Sequence, residues 1–149
     1  MSPIFLRIII AGVLAFHGVG HAMGIIPALQ LHFFQKQTGA WAQNWSNHSW
    51  LLTPFLGDAA SRILAIILFA VPLVGFVGAA LGLMGWLVPH EWWRSLAIVS
   101  AVVSLIALGL FWNAFIYLFP HKVGSIAVNV AVLVGLLWVN WPSEAGIGY

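Results

Sequence analysis

From Ile63 to His90 the chain carries no Asp, Glu, Lys or Arg, and from Ser95 to His121 it again carries none. An α-helix crosses the hydrocarbon core of a bilayer with about 20 apolar residues, so two uncharged runs of this kind belong in lipid. Division at the charges, prolines and aromatic clusters gives four such stretches. They are 5–26, from beside Arg7 to Pro27; 60–88, with Asp58 as the expected N-cap and Pro89 as the stop; 92–119, ended by Pro120; and 124–141, ended by Pro142. Two of the connections are short, which makes neighbouring spans antiparallel. The expected fold is all-α, an integral membrane four-helix antiparallel bundle in a single domain, 1–149, with both termini on one side.

Composition agrees with that solvent. Hydrophobic residues make up 62% and charged ones 5%, against about 45–50% and about 25% in soluble domains. The cations Arg7, Lys36, Arg62, Arg94 and Lys122 stand singly, which leaves no basic face for nucleic acid. With no cysteine there are no disulfides, thiolate metal sites or iron–sulfur clusters, and any redox role must come from a borrowed cofactor. No serine-hydrolase elbow, phosphate loop, His-Glu-x-x-His motif or nucleotide fingerprint occurs, and the three acids sit at span ends. Hydrolytic or phosphoryl-transfer chemistry is not expected of this chain alone.

The long connection Pro27–Gly57, with Phe33, Phe34, Trp41, Trp45 and Trp50, reads as a Trp-rich interfacial loop between the first two spans. Four spans sort the tryptophans into two belts. Trp86, Trp92, Trp93, Trp138 and Trp141 fall on the side of the termini, and Trp41, Trp45, Trp50 and Trp112 on the other. Arg7, the run Ile8 to Phe16 and Gly20-His21-Ala22 imitate a signal peptide, but the segment is read here as a retained span. The scattered cations do not set an orientation. The expected location is a prokaryotic cell membrane, crossed several times.

Lipid tails are as apolar as leucine, so small residues should mark the helix contacts. Three stripes qualify by spacing: Gly75, Gly78, Gly82 and Gly85; Ala97, Ser100, Ala101 and Ser104; and Gly124, Ala127, Ala131 and Gly135. Depth then singles out the polar residues. Counting from Arg7, His17 lies about 15 Å in and His21 about 21 Å. Counting from Arg94, Asn113 lies about 27 Å in, and counting back from Lys122, Asn129 lies about 20 Å in. The two histidines are four apart and share a face, with Gly18, Gly20 and Gly24 expected to leave space around them.

His17, His21, Asn113 and Asn129 are therefore expected to turn inward and meet as a cofactor-binding cluster. The competing reading is that these groups only bond the helices together. Neutral imidazole can ligate a tetrapyrrole metal or hydrogen-bond a quinone. Two histidines on one helix cannot clamp both faces of a heme, and no carboxylate at that depth completes a metal site. His32, His48 and His121 with Asp58 share a membrane side and read as solvated loop residues. Glu91 with Arg94, and Asp58 with Arg62, have the spacing of local ion pairs.

The segment Phe5-Leu6-Arg7-Ile8, Gly12 and Phe16-His17-Gly18-Val19-Gly20-His21 resembles the opening helix of DoxX-like membrane proteins. That resemblance implies a small four-helix membrane bundle, of a kind that includes a small subunit of a thiosulfate:quinone oxidoreductase. His21 stands where the family often carries lysine, and no catalytic residue is carried over. Three functions follow as expectations. The first is a non-catalytic accessory subunit of a bioenergetic or redox membrane complex, contacting a quinone or pigment through His17 and His21. The others are a small transporter or permease component, and a membrane enzyme acting on a lipid or quinone. The expected partners are the bilayer and other membrane subunits or further copies of the chain.

Overall fold

The computed structural model describes residues 2–29, 48–115 and 118–149. Trp41, Trp45, His32 and most of the expected Trp-rich loop lie outside the described residues. Among those described, every regular element is helical and there is no strand.

Helix α1, Pro3–Gly20, starts at Ser2, whose hydroxyl oxygen accepts from the Phe5 N–H at 3.4 Å, with Pro3 in the first turn. After a turn at His21 the chain continues as α2, Ala22–Ala28. Pro27, the expected stop, lies inside that last turn. Helix α3, Thr53–Met84, begins earlier than expected and contains one non-helical residue, Gly57, at φ 76°. Asp58 follows this break rather than capping the helix, and its carboxylate pairs with His48 at 3.2 Å. The helix stops at Gly85, which takes the left-handed conformation that lets Trp86 N–H reach back to Leu81 O. Pro89 instead precedes a short 3-10 turn, His90–Trp92, leading into α4, Trp93–Leu110.

Helix α4 ends well before Pro120. Its last carbonyls are taken by residues arriving from before α3: Trp50 Nε1–H donates to Gly109 O at 2.8 Å, and Ser49 Oγ–H donates to Leu110 O. A 3-10 turn, Trp112–Ala114, follows. The chain becomes helical again through a π turn, Leu118–Lys122, into α5, Val123–Leu133, which closes with a second π turn, Val134–Trp138. A short helix, α6, Glu144–Ile147, ends the structure.

Three helical stretches are long and apolar enough to cross a membrane: Pro3–Ala28, Thr53–Met84 and His90–Leu110. The apolar helix Val123–Trp138 is shorter. Large apolar side chains cover the outside, Phe16 at 85% and Trp138 at 85% exposure among them. Trp86, Trp92 and Trp141 are also exposed, whereas Trp93 is buried in the core and takes no part in a belt.

The glycine stripe of α3 and the alanine and serine stripe of α4 are helix contacts, as expected, and the structure sets them against each other. A Cβ on Gly82 would stand 3.3 Å from Trp93 Cβ and one on Gly78 3.4 Å from Leu96, and one on Gly75 would collide with Ser100 Oγ. The pairing runs backwards along α4, so the two helices are antiparallel. Gly18 and Gly24 are pressed against Phe76 and Phe69 of α3 in the same reversed order, which makes α1–α2 antiparallel to α3. These two glycines thus leave no open space; their lack of a side chain is taken up by the neighbour. The stripe on the last helix fails as a contact, since Ala127 and Ala131 are exposed and the buried residue of α5 is Asn129. A polar side chain, not a small-residue ladder, turns α5 inward.

Helix α1 packs on α3, α3 on α4 and α4 on α5, while α1 and α5 share too few close approaches to form a seam. The gap between α1 and α5 positions the site.

Candidate functional site

Between α1 and α5 lies a cavity of about 780 Å³. Ile8, Ile9, Val13 and Phe16 of α1 form one wall, and Gly124, Ser125 and Val128 at the start of the last helix form the other. Phe69, Leu108 and Phe115 close the back. Gly12 and Gly20 line it, and a Cβ on either would meet nothing within 4 Å. The polar part of the lining comes from His17, His21, Ser125 and His121.

His17 and His21 are one helical turn apart, their rings edge to face at 5.0 Å, with His17 also edge-on to Phe76 at 4.9 Å. Their hydrogen bonds close a ring whose direction follows from chemistry. His21 Nδ1 is 2.9 Å from the His17 carbonyl oxygen, which can only accept, so Nδ1 carries the proton. No carboxylate belongs to the cluster, and both imidazoles are taken as neutral. His21 Nε2 is then a bare acceptor and receives Ser104 Oγ–H at 2.7 Å. With its hydrogen used, Ser104 Oγ accepts from Asn129 Nδ2–H at 2.7 Å. The amide oxygen of Asn129 therefore faces His17, whose Nε2–H donates to it at 3.1 Å. Asn129 and Ser104 are fully buried, and Asn129 Nδ2–H also reaches Ser125 Oγ at 3.5 Å.

Three of the four residues expected to converge do so: His17, His21 and Asn129. Asn113 does not. Its depth was counted along a continuous third helix, but α4 ends at Leu110, and Asn113 sits exposed on the 3-10 turn, where its side-chain oxygen accepts Trp50 N–H at 2.9 Å. The fourth member is Ser104, which sequence spacing marks only as part of a packing stripe. Its depth, one residue type away from the small apolar ones around it, was the available signal.

A second polar group lies at the other end. Glu144 accepts from His90 Nε2–H at 2.9 Å and Arg94 Nε–H at 3.1 Å. Arg94 also donates to Asn140 Oδ1 at 2.9 Å and to Pro142 O. Tyr149 stacks on the His90 ring at 3.5 Å and carries the Arg7 guanidinium 4.7 Å above its own ring. Arg94 thus pairs with Glu144, where local spacing pointed to Glu91, and Asp58 with His48, where it pointed to Arg62. Burial pushes the Glu144 carboxyl up, but the hydrogen bonds and charges of His90 and Arg94 outweigh it and hold its pKa below the ordinary value. This group ties segments together.

No group of three or more potential metal-ligating side chains occurs among the described residues. Comparison with known proteins finds no matching family profile, no matching curated protein and no matching solved structure.

Proposed function

We propose that the chain is a multi-pass membrane protein of four helices whose α1–α5 cleft holds a lipid-soluble ligand with one polar end, of the quinone class. It acts as a non-catalytic subunit within a larger redox or bioenergetic assembly. The observation that carries this reading is the cavity itself. Its walls are apolar and its gap lies between two helices that face the surrounding medium, while one polar floor is built from His17 and His21. A volume of about 780 Å³ falls within the range of small-molecule and cofactor sites. The floor offers hydrogen-bonding groups and no ion pair, which suits holding the polar end of a neutral ligand. The likeness of the first helix to DoxX-like proteins points the same way.

The test is purification in mild detergent followed by solvent extraction, with absorbance and mass measured on the extract and native separation of any co-eluting subunits. The expected result is a quinone-class molecule in the wild-type extract and its loss from Gly20→Leu, which puts a large side chain into the cavity where a Cβ meets nothing within 4 Å. An empty wild-type extract, together with no uptake of added decylubiquinone or decylubiquinol, overturns the reading.

A further inference from the structure

The ring of hydrogen bonds decides what the cavity can offer a ligand. His17 spends its only proton on Asn129 through Nε2, so Nδ1 of a neutral ring carries a lone pair. That nitrogen has no protein partner among the described residues, and its ring lines the cavity. The opposite wiring, with the Asn129 amide turned over, makes Ser104 donate to Asn129. His21 would then have to donate from both nitrogens, which requires an imidazolium with no counter-charge in the cluster. In the neutral ring, the cavity presents His17 as an acceptor.

Resting on the reading of the cleft as a quinone-class site, we propose that the form bound is the reduced one. A quinol hydroxyl donates its O–H to His17 Nδ1, and the tautomer of His17 is set from behind by Asn129, Ser104 and the His17 carbonyl. A quinone carbonyl has no hydrogen to give and would face a lone pair with a lone pair. The hydroxyl of a quinol satisfies both groups. Asn129 and Ser104 are positioning residues: neither supplies the ligand contact, and both decide its polarity.

Three probes separate the possibilities: decylubiquinol and decylubiquinone, compared anaerobically on the detergent-purified full chain, and dodecanol as a hydroxyl without a quinone ring. Tighter binding of the quinol by about tenfold is expected, the worth of one good hydrogen bond against an unmet acceptor. Equal binding of the two redox forms, or tighter binding of the quinone, overturns the inference and leaves the quinone-class reading standing. Binding of dodecanol alone keeps the hydroxyl and removes the quinone; binding of none of the three removes both. Asn129→Leu frees His17 to take either tautomer, so the preference for quinol should fall toward equality. Because that variant could fail to fold, the wiring is also read in the wild type by nitrogen NMR of labelled histidine. His17 should show a protonated Nε2 and His21 a protonated Nδ1, and finding the same tautomer on both rings contradicts the proposal.

Discussion

Helix α1 has two sides that behave in opposite ways. Toward α3 it is closed: a Cβ on Gly18 would come within 2.9 Å of Phe76 Cβ and 3.1 Å of the Leu73 carbonyl oxygen. Toward α5 it is open: Gly12 and Gly20 meet nothing within 4 Å. The same residue type therefore does two different jobs on one helix, close backbone approach on one face and vacancy on the other. The closed side is held by packing, and the open side is spanned at its base by hydrogen bonds. One side is a packed seam and the other keeps a cavity.

The sharpest way to break this contrast is to fill both sides. Gly18→Val should lower unfolding stability in detergent by about 3 kcal/mol, because backbone atoms of α3 would have to move. Gly20→Val should cost nothing measurable in the same melts while shrinking the cavity. Equal melting losses for the two variants would erase the distinction.

Next in size is the bonded floor. Asn129→Leu strands Ser104 and His17 together and should cost about 1.5 kcal/mol, toward the upper end for hydrogen bonds between membrane helices. His17→Leu removes one bond and should cost about 1 kcal/mol, whereas His17→Asn keeps a donor near Asn129 and should melt close to wild type. Both His17 variants should nonetheless lose the extracted ligand. Retention of ligand by His17→Asn would reduce the cluster to helix glue.

The smallest effect lies at the far end, where Glu144 is half exposed. Its folded pKa is depressed below the ordinary 4.5, so its contribution is complete above the unfolded value and is lost as pH falls through the folded one. The melting difference between wild type and Glu144→Gln should be well under about 1 kcal/mol and should shrink on acidification from about pH 6 to about pH 3. A difference that grows with acid has the wrong sign for this ion pair.

Much of the architecture was legible in the sequence because it rests on local rules. Apolar length marked the long helices, and helical spacing put His17 with His21 and marked Gly75, Gly78 and Gly82 as a contact face, though not which helix would meet it. The failures occurred where a tertiary partner overrode a local signal. Asn113 was misplaced because carbonyls at the end of α4 find Trp50 and Ser49, which lets the helix stop at Leu110 instead of running on to Pro120. Ala127 and Ala131 had the right spacing for a contact, yet burying Asn129 turned that face outward. Glu144 lies far from His90 and Arg94 along the chain, so no periodicity could pair them. Ser104 was recognised as small but not as a hydroxyl in need of two partners.

The apolar helices also differ in reach, and that difference bears on the bilayer itself. Thr53–Met84 is 32 residues long, about 48 Å at the usual rise, and Val123–Trp138 is half of that, about 24 Å. A hydrocarbon layer about 30 Å thick cannot match both. On the membrane reading, the long helix leans to hide its excess, with the bend at Gly57 taking up part of it. On the same reading the last helix comes near to matching only when the π turn Leu118–Lys122 ahead of it is counted in, so Lys122 stands at the edge of the hydrocarbon and thicker membranes should strain this end of the α1–α5 cleft first.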